Sequence, residues 1–439
     1  MNTSSKLPSF NLKVVIQETG IKPHTLRAWE RRYGLPQPER TPGGHRLYSQ
    51  RDIDIVKWLI HRQEEGLTIS RAVELWSTLQ DKGEDPLNMA TYRTEESFTA
   101  GETGVELGTV RQKWVEHCLK FDEAAADNVL TQAFALFPVK TVCLEVLQKG
   151  LSHMGDLWYE NKVTPQQEHF ASALAIKRLI TLLAAAPEPT RIGRILLASP
   201  AKEEHTISLL LLFLLLRHRG WEVVYFGANV PLFRFDSAID AIKPDLIVMA
   251  AQRLPTAATL LETAQFLQGK GMKLAFGGRI FNLIPTLHQR IPGHFLGHDL
   301  EGAVSTISQI LAFNPATPQA ENLPEEYELA ASAYLRKRAL IETETWQLTQ
   351  DGEMPHQLMD NTNSRLSEAI TAALKLGELE YINVELNYAR QLVRNYGLPL
   401  DWQCDYFDAY YRAANKHLPD DGRLILNWLR KTRAIYCAS

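Results

Sequence analysis

The feature that most constrains this 439-residue chain is an alternation of strand-like and helical patterns between Arg191 and Leu311. Five short runs rich in β-branched and aliphatic residues alternate there with helical stretches: Ile195–Ala198, Glu222–Tyr225, Leu246–Met249, Leu274–Phe276 and a weak His294–Leu296. Repeated strand–helix units predict a doubly wound parallel sheet, and such sheets bind ligands at the carboxyl ends of their strands. We therefore expect a ligand site in the loops after Ser199, Gly227, Ala251 and Phe276.

The longest apolar run, Ile207–Leu216, fits the interior of such a domain better than a membrane. It is ten residues long, about half of what an α-helix needs to cross a bilayer. The N-terminal segment MNTSSKLPSF lacks the apolar core of a signal peptide. The four cysteines are widely spread without a CxxC motif and predict neither a disulfide framework nor a zinc site. We therefore expect a cytoplasmic protein without a membrane partner.

The remaining sequence predicts three helical units around the sheet. The first reads helix, turn, helix, hairpin and two more helices, and the second reads four amphipathic helices that form a small bundle. The third is rich in helix formers and aromatic residues, and its role is not predicted. A Gly-, Thr- and Glu-rich stretch reads as a linker. The predicted boundaries are 9–80 (first unit), 81–107 (linker), 108–188 (bundle), 189–313 (sheet) and 325–439 (helical C-terminal domain).

Basic charge is concentrated near the N-terminus. The whole chain has a net charge of -4, so binding to nucleic acid requires a local cationic surface. Between Asn11 and Arg51, eight Lys and Arg stand against three Glu, a net charge of +5. The second predicted helix and the turn-rich segment after it hold most of these cations.

That helix and turn contain the groups that read duplex DNA. Arginines on adjacent helix turns can pair with guanine or phosphate in the major groove, and a glycine-rich wing can reach the flanking backbone. Isolated arginines are more often a solvated surface, and Trp29, Tyr33 and Leu47 fit the core. The predicted DNA-contacting residues are Arg27, Arg31, Arg32, Arg40, His45, Arg46 and Tyr48.

The continuous string TLRAWERRYGLPQPERTPGGHRLY resembles the MerR-family winged helix-turn-helix. The resemblance covers about Asn11–Leu79 and is strongest to the subgroup of the light-responsive CarH and LitR regulators and of MlrA. MerR-type regulators bind palindromic promoter DNA as dimers or higher oligomers. The resemblance therefore implies double-stranded DNA and further copies of this chain, as a dimer or tetramer, as partners.

Two groups of side chains could hold a ligand behind this reader. His205 follows the first predicted strand, and Glu203 could keep one ring nitrogen protonated while the other coordinates a metal. In the bundle, nine residues separate Trp158 from Glu168-His169, and this group could cover one face of a flat ligand. Taken singly, a capped surface His and an ordinary aromatic contact between helices are the commoner explanations.

Together, in this order, the groups resemble a cobalamin-binding module over about Thr109–Leu311. That family joins a helical cap carrying W-x9-EH to a flavodoxin-like domain carrying D/E-x-H-x-x-G, S-x-T or S-x-L, and G-G. The resemblance implies adenosylcobalamin or a related cobalamin, with His205 as the lower cobalt ligand and Gly277-Gly278 leaving room for the nucleotide tail. The predicted cofactor-binding residues are Trp158, Glu168, His169, Glu203, His205, Ser208, Ala251, Arg253, Gly277 and Gly278.

The chain departs from that pattern at four positions. Ser208 replaces the motif glycine, Ala251 replaces the motif serine, and Arg253 stands at its partner position. Tyr159 replaces the His that captures cobalt after photolysis in light-sensing members. A serine in the tail channel costs about 1–3 kcal/mol through overpacking. The ligand could thus be cobalamin, another tetrapyrrole whose propionate pairs with Arg253, or none.

These patterns favour a DNA-binding regulator whose DNA affinity or oligomeric state is controlled by a tetrapyrrole, with a light response as an option. The alternative is an MlrA-like regulator whose ligand-free sheet domain makes protein contacts. A cobalamin-dependent methyltransferase-like enzyme is a remote third option, because no second catalytic motif follows, and no catalytic residue is predicted. The C-terminal domain could bind a protein partner.

Overall fold

A computed structural model describes residues 10–41, 44–64, 67–81, 86–87, 106–350, 356–395, 397, 399, 401–418 and 422–437. Most of the predicted linker 81–107 and the wing residues Pro42 and Gly43 lie outside these residues. Among the described helices, none combines the length and the apolar character needed to span a bilayer.

The N-terminal domain is a winged helix-turn-helix, as predicted. Gly20 ends the first helix at φ +68°, a left-handed conformation that glycine adopts without strain. Trp29, Trp58 and Trp76 are buried in the core of this domain. Its elements are α1 (Leu12–Thr19), α2 (Pro23–Tyr33), the antiparallel strands β1 (Glu39–Arg40) and β2 (Arg46–Leu47), α3 (Gln50–Glu64) and α4 (Ile69–Asp81).

A helical bundle follows, as predicted. Its last helix begins at a capping box, in which Thr164 and Gln167 satisfy each other's backbone N–H groups. The fully buried Trp114 lies at the centre of its core. The elements are α5 (Leu107–Leu119), α6 (Glu123–Leu136), α7 (Val139–Val142), a π-helical turn (Cys143–Gln148), α8 (Lys149–Tyr159) and α9 (Pro165–Ala184).

The third unit is a five-stranded parallel sheet in the order β4-β3-β5-β6-β7, which is the flavodoxin-like doubly wound order. All five predicted strands are confirmed: β3 (Arg194–Ala198), β4 (Glu222–Gly227), β5 (Leu246–Ala250), β6 (Leu274–Gly277) and β7 (His294–Phe295). The helices are α10 (Ile207–His218), α11 (Phe235–Ile242), α12 (Leu254–Gly269), α13 (Arg279–Leu283), a 3-10 turn (Pro285–Arg290) and α14 (Leu300–Phe313).

Helix α10 contains the long apolar run and is buried on two sides. Leu210, Leu211 and Leu214 pack into the core of the bundle, whereas Leu212 and Leu216 pack against the sheet. A helix that is apolar all round is stable only where neighbours cover both faces. The run Ile207–Leu216 therefore joins the bundle to the sheet.

The C-terminal domain is all-helical, as predicted, and shares one hydrophobic core with the sheet. Helix α12 contributes buried side chains to the same cluster as the C-terminal helices. Cys404 and Cys437 form a disulfide, which the sequence spacing did not predict. The elements are α15 (Glu325–Thr349), α16 (His356–Leu376), a 3-10 turn (Leu379–Ile382), α17 (Asn383–Asn395), α18 (Asp401–His417) and α19 (Arg423–Cys437).

Candidate DNA-binding surface and ligand cleft

Helix α2 separates its apolar and cationic residues onto two faces. Leu26 and Trp29 are buried, while Arg27, Arg31 and Arg32 are exposed. Arg27 and Arg31 are four residues apart and therefore lie on the same helix face, one turn from each other. The helix thus presents its cations to solvent in the way that groove binding requires.

Glu30 holds the wing against α2, a role that sequence reasoning missed. Arg46 Nε donates to Glu30 Oε2 at 2.7 Å, and the Tyr48 hydroxyl donates to Glu30 Oε1 at 2.6 Å. Burial raises the pKa of Tyr48 and the hydrogen bond to Glu30 raises it further, so the hydroxyl remains a donor. The sequence signal that could have revealed this role is the position of an acidic residue inside an arginine-rich helix.

The remaining wing residues divide into exposed and buried ones. Arg40 and His45 are exposed, and Arg46 keeps 29% of its side-chain surface. Tyr48 is fully buried and its hydroxyl is bound to Glu30. This burial contradicts the prediction that Tyr48 contacts DNA, because its ring belongs to the core of the domain.

At the carboxyl end of β3, a buried carboxylate collects four hydrogen bonds. Glu203 is 0% exposed. One of its oxygens accepts from the backbone N–H of His205 at 3.0 Å and lies 2.6 Å from His205 Nδ1. The other accepts from the backbone N–H of Gln252 at 2.7 Å and from the Thr256 hydroxyl at 2.6 Å. The carboxylate therefore ties this loop to the loop after β5.

These hydrogen bonds set the charge state and the orientation of the pair. Burial acts to raise the pKa of Glu203, but its hydrogen bonds outweigh burial and the pKa is lowered. The hydrogen bond between Glu203 and His205 raises the pKa of His205. Because Nδ1 is engaged by Glu203 and the side chain remains 65% exposed, Nε2 is the nitrogen left to coordinate a metal.

The cap motif lies at the junction of α8 and α9. Trp158 is half-buried near the end of α8, and Glu168 begins α9. The hydrogen bond to Glu203 is the main cause that raises the pKa of His205, and the charge of Glu168 adds to it. Glu168 also accepts from the Ser172 hydroxyl at 2.7 Å. His169 is 83% exposed and its Nδ1 lies 3.8 Å from Glu168.

The side chain of Gln252, whose backbone binds Glu203, forms hydrogen bonds next to the predicted tail-binding residues. Its Nε2 donates to Ser208 Oγ at 3.0 Å, and its Oε1 accepts from the backbone N–H of Arg279 at 3.0 Å. Arg253, the next residue, is half-buried and caps α12. The bridge thus links Ser208, one of the departures from the cobalamin-binding pattern, to the backbone that follows Gly277-Gly278.

The glycine pair after β6 packs against this chain's own backbone. A Cβ on Gly278, which has φ +121°, would lie 2.1 Å from the Ala251 carbonyl oxygen, and Ala251 is fully buried. A Cβ on Gly277 would lie 3.8 Å from Leu296. A side chain at position 278 would therefore collide with the loop at Ala251, so the close packing of this chain's own backbone requires glycine there; that a ligand tail approaches Gly277 and Gly278 stays a prediction.

The two sides fit a cobalamin unequally. An oriented imidazole with one free nitrogen is a suitable axial donor for cobalt. The tail side does not fit an inserted nucleotide, because Gln252 joins Ser208 to Arg279 across it. The residues present suit coordination of the metal and do not suit insertion of the tail.

The winged helix-turn-helix domain is joined to the sheet domain through backbone hydrogen bonds. Lys22 N–H donates to the Thr190 carbonyl at 2.6 Å, and Ile192 N–H donates to the Gly20 carbonyl at 3.3 Å. These bonds attach the turn between α1 and α2 to the segment that leads into β3. A structural change in the sheet domain can therefore reach α2 directly through these hydrogen bonds.

Comparison with known proteins agrees with this architecture. A family model described as MerR HTH family regulatory protein matches residues 10–79, and two described as B12 binding domain match 110–183 and 193–299. The HTH-type transcriptional repressor CarA of Myxococcus xanthus is 31% identical over 249 residues, covering 56% of this chain and 77% of CarA. CarH of the same organism is 28% identical over 289 residues, covering 65% of this chain and 94% of CarH.

Two further similarities are more limited in extent. The HTH-type transcriptional regulator MlrA of Salmonella typhimurium is 46% identical over 66 residues, covering 15% of this chain and 26% of MlrA. Among solved structures, the Methanosarcina barkeri monomethylamine corrinoid protein is 15% identical with a TM-score of 0.42, covering 47% of this chain and 100% of that one. The chain belongs to the MerR family of helix-turn-helix transcription regulators, and it carries the B12-binding cap and sheet domains in an arrangement like that of CarA and CarH.

Proposed function

We propose that this regulator binds promoter DNA with an affinity or oligomeric state that responds to a corrinoid held between the cap and the carboxyl edge of the sheet. The observation that carries the ligand half is the Glu203–His205 pair. A bound corrinoid would supply a cobalt centre that can take a nitrogen ligand. Glu203 would orient the imidazole ring, His205 would offer Nε2 to the metal, and Trp158 with Glu168 would cover the opposite face of the ligand.

The DNA half of the proposal rests on the cationic face of α2 and on the wing. We propose Arg27, Arg31 and Arg32 as the groove contacts, with Arg40, His45 and Arg46 at the flanking backbone. The proposed target is palindromic double-stranded DNA, bound by a dimer or tetramer of this chain. The proposed location is the cytoplasm. Its activity is binding and release of DNA rather than catalysis.

The Gln252 bridge narrows the ligand class to a corrinoid whose nucleotide tail stays outside the sheet or is missing, as in a cobinamide. A hydrogen-bonded side chain in the channel must be displaced before a tail can enter, and each such bond is worth about 1 kcal/mol. Because Tyr159 follows Trp158 where the light-sensing pattern has His, we propose the corrinoid itself rather than light as the signal.

The ligand half is tested by absorption titration with diaquocobinamide and hydroxocobalamin, in darkness and after illumination. We expect the visible bands to shift with wild type and not with His205→Ala. His24→Ala removes an exposed imidazole from the reader and should behave as wild type. If no corrinoid changes its spectrum in the presence of wild type, the ligand half is wrong.

The DNA half is tested by mobility shift on the protein's own promoter region over a range of salt concentrations. Arg27→Ala and Arg31→Ala should each weaken binding by about 5- to 100-fold and reduce its salt dependence. Arg336→Ala removes the same charge from an exposed site in α15 and should leave binding unchanged. A complex that is insensitive to both salt and the α2 arginines would contradict the proposal.

A second candidate function is a ligand-free regulator whose sheet domain makes protein contacts, as in the MlrA-like alternative. The Gln252–Ser208–Arg279 bridge favours it, since the protein's own groups satisfy one another there. Size-exclusion chromatography and mobility shift separate the two candidates. Oligomer size and DNA affinity that do not change with any corrinoid support the ligand-free candidate.

A further inference from the structure

Helix α17 of the C-terminal domain contacts the cap at the residue that is proposed to cover the ligand. The Tyr388 ring centroid lies 5.6 Å from that of Trp158, and it stacks at 6.1 Å and 20° on Tyr159. Asn161 Nδ2 donates to the Asn395 carbonyl at 2.9 Å, and Asn395 Nδ2 donates to the Tyr159 carbonyl at 2.5 Å. The middle and the C-terminal end of α17 thus contact the last turn of α8 or the loop after it.

The same helix contacts the opposite, sheet-side wall. Glu385 Oε1 accepts from the backbone N–H of Leu254 at 3.4 Å, one residue after Arg253. Burial raises the pKa of Tyr388, and its charged neighbours are Arg365, Arg279, Glu385 and Arg253. The charge of Arg253 acts to lower the pKa of both Tyr388 and His205, against the larger causes that raise them. Helix α17 therefore bridges the two walls between which we place the corrinoid.

The domain that carries α17 is fixed to the sheet. Helices α12 and α16 pack in one core, and Lys202, in the loop that leads to Glu203, forms an ion pair with Glu368 at 2.8 Å. The guanidinium of Arg390 lies 4.5 Å from the Tyr436 ring centroid and ties α17 to α19. Because α17 is anchored on the sheet side, its contacts with Trp158 and Tyr159 connect the cap to the sheet domain.

We infer that α17 closes the mouth of the ligand cleft and that Tyr388 is a residue of the ligand site, which must separate from Trp158 before a corrinoid can enter. This inference rests on the proposed corrinoid binding. The family matches end at residue 299, so the closure belongs to the additional domain of this chain. The occupant of the cleft mouth is the chain's own segment 383–395.

Stopped-flow absorption with diaquocobinamide tests the closure in the full-length protein. Tyr388→Ala should speed both association and dissociation by about three- to tenfold, the factor expected when two ring contacts that stabilise a closed state are lost. Tyr388→Phe retains the ring and should keep the wild-type rates. Tyr411→Ala removes a tyrosine of α18 next to Arg433 and is the matched control. Asn395→Ala, which removes one cap contact, should show a smaller effect in the same direction.

Hydrogen exchange in the ligand-free protein gives a readout that needs no corrinoid. The backbone of residues 155–169 should exchange faster in Tyr388→Ala than in wild type or in Tyr411→Ala.

Two results would overturn the inference, and they are distinguishable. If wild type binds diaquocobinamide with the same rates as Tyr388→Ala and Asn395→Ala, the inference that α17 closes the site is wrong. The proposal of corrinoid binding is then unaffected. Failure of wild type and all variants to bind any corrinoid removes both.

Discussion

The two sides of the ligand cleft differ in what their hydrogen bonds serve. On the Glu203 side, four donors converge on one buried carboxylate, and the outcome is an imidazole held with one nitrogen free. On the Gln252 side, a side-chain amide joins Ser208 to Arg279, and the outcome is a closed contact within the protein. The same fold therefore has residues suited to hold a metal on the Glu203 side and residues that do not suit insertion of a nucleotide tail on the Gln252 side.

The energetic difference between the sides explains how they can change separately. A buried carboxylate with several donors is costly to alter, because removing it leaves those donors unsatisfied. Gln252 is only half-buried and links neutral groups, so each of its hydrogen bonds contributes about 1 kcal/mol. The first side should therefore respond strongly to substitution and the second weakly.

The largest effect is expected from Glu203→Gln. An amide nitrogen cannot accept a hydrogen bond, so at least one pair of donors loses its partner, at a cost of about 1–3 kcal/mol in the free energy of unfolding. The loss of the orienting partner should also weaken corrinoid binding by about 10- to 100-fold. Urea unfolding and titration with diaquocobinamide measure the two effects.

Glu204→Gln is the matched control for that substitution. Glu204 is exposed and accepts only from Asn229 Nδ2, at 3.0 Å, among the hydrogen bonds of the described residues. It should change stability by less than about 0.5 kcal/mol and leave the titration unchanged. Similar behaviour of the two variants would show that the buried network does not prepare the imidazole.

A smaller effect is expected on the Gln252 side. The double variant Ser208→Gly with Gln252→Ala removes the bridge and restores the motif glycine. The affinity for hydroxocobalamin relative to diaquocobinamide should rise by about fivefold, which corresponds to one hydrogen bond of about 1 kcal/mol. Gln268→Ala, at an exposed site on α12, serves as the control. An unchanged ratio of the two affinities would mean that the bridge does not exclude the tail.

Local spacing is what made one side of the cleft predictable from the sequence. Glu203 and His205 are two residues apart at a strand end, and the strand–helix alternation alone places that end at the ligand edge. The partners of Gln252 are 44 and 27 residues away, and no periodicity in the sequence connects them. No periodicity in the sequence connects Tyr388 with Trp158 either, because the two residues belong to different domains.

Tyr48 shows a second limit, which comes from the chemistry of the residue itself. A tyrosine has an apolar ring and a polar tip, so a wing sequence does not reveal whether the ring is buried or faces DNA. The outcome depends on Glu30, 18 residues earlier on α2, which accepts a hydrogen bond from the Tyr48 hydroxyl. Cys404 and Cys437 are a similar case, since the packing of α18 against α19 brings together residues 33 positions apart.

The smallest expected effect is a pH dependence that distinguishes the ionic side of the cleft from the neutral one. The hydrogen bond to Glu203 is the main cause that raises the pKa of His205 above its ordinary 6.5, and the pKa of Glu203 is lowered below its ordinary 4.5. The stabilisation from His205 is therefore complete below pH 6.5 and is lost as the pH rises through the raised pKa. That from Glu203 is present above pH 4.5 and is lost as the pH falls through the lowered pKa.

The ligand-free protein should accordingly be more stable than His205→Ala between these limits, and the difference should shrink toward alkaline pH. Because the His205 side chain is 65% exposed, solvent screening keeps the difference below about 1 kcal/mol. Urea unfolding of both proteins from pH 5 to pH 9 measures it, and the Gln252→Ala variant should differ from wild type by the same amount at every pH. If the His205→Ala difference were constant over that range, the ion pair would contribute nothing to folding, and the two sides of the cleft would be alike in this respect.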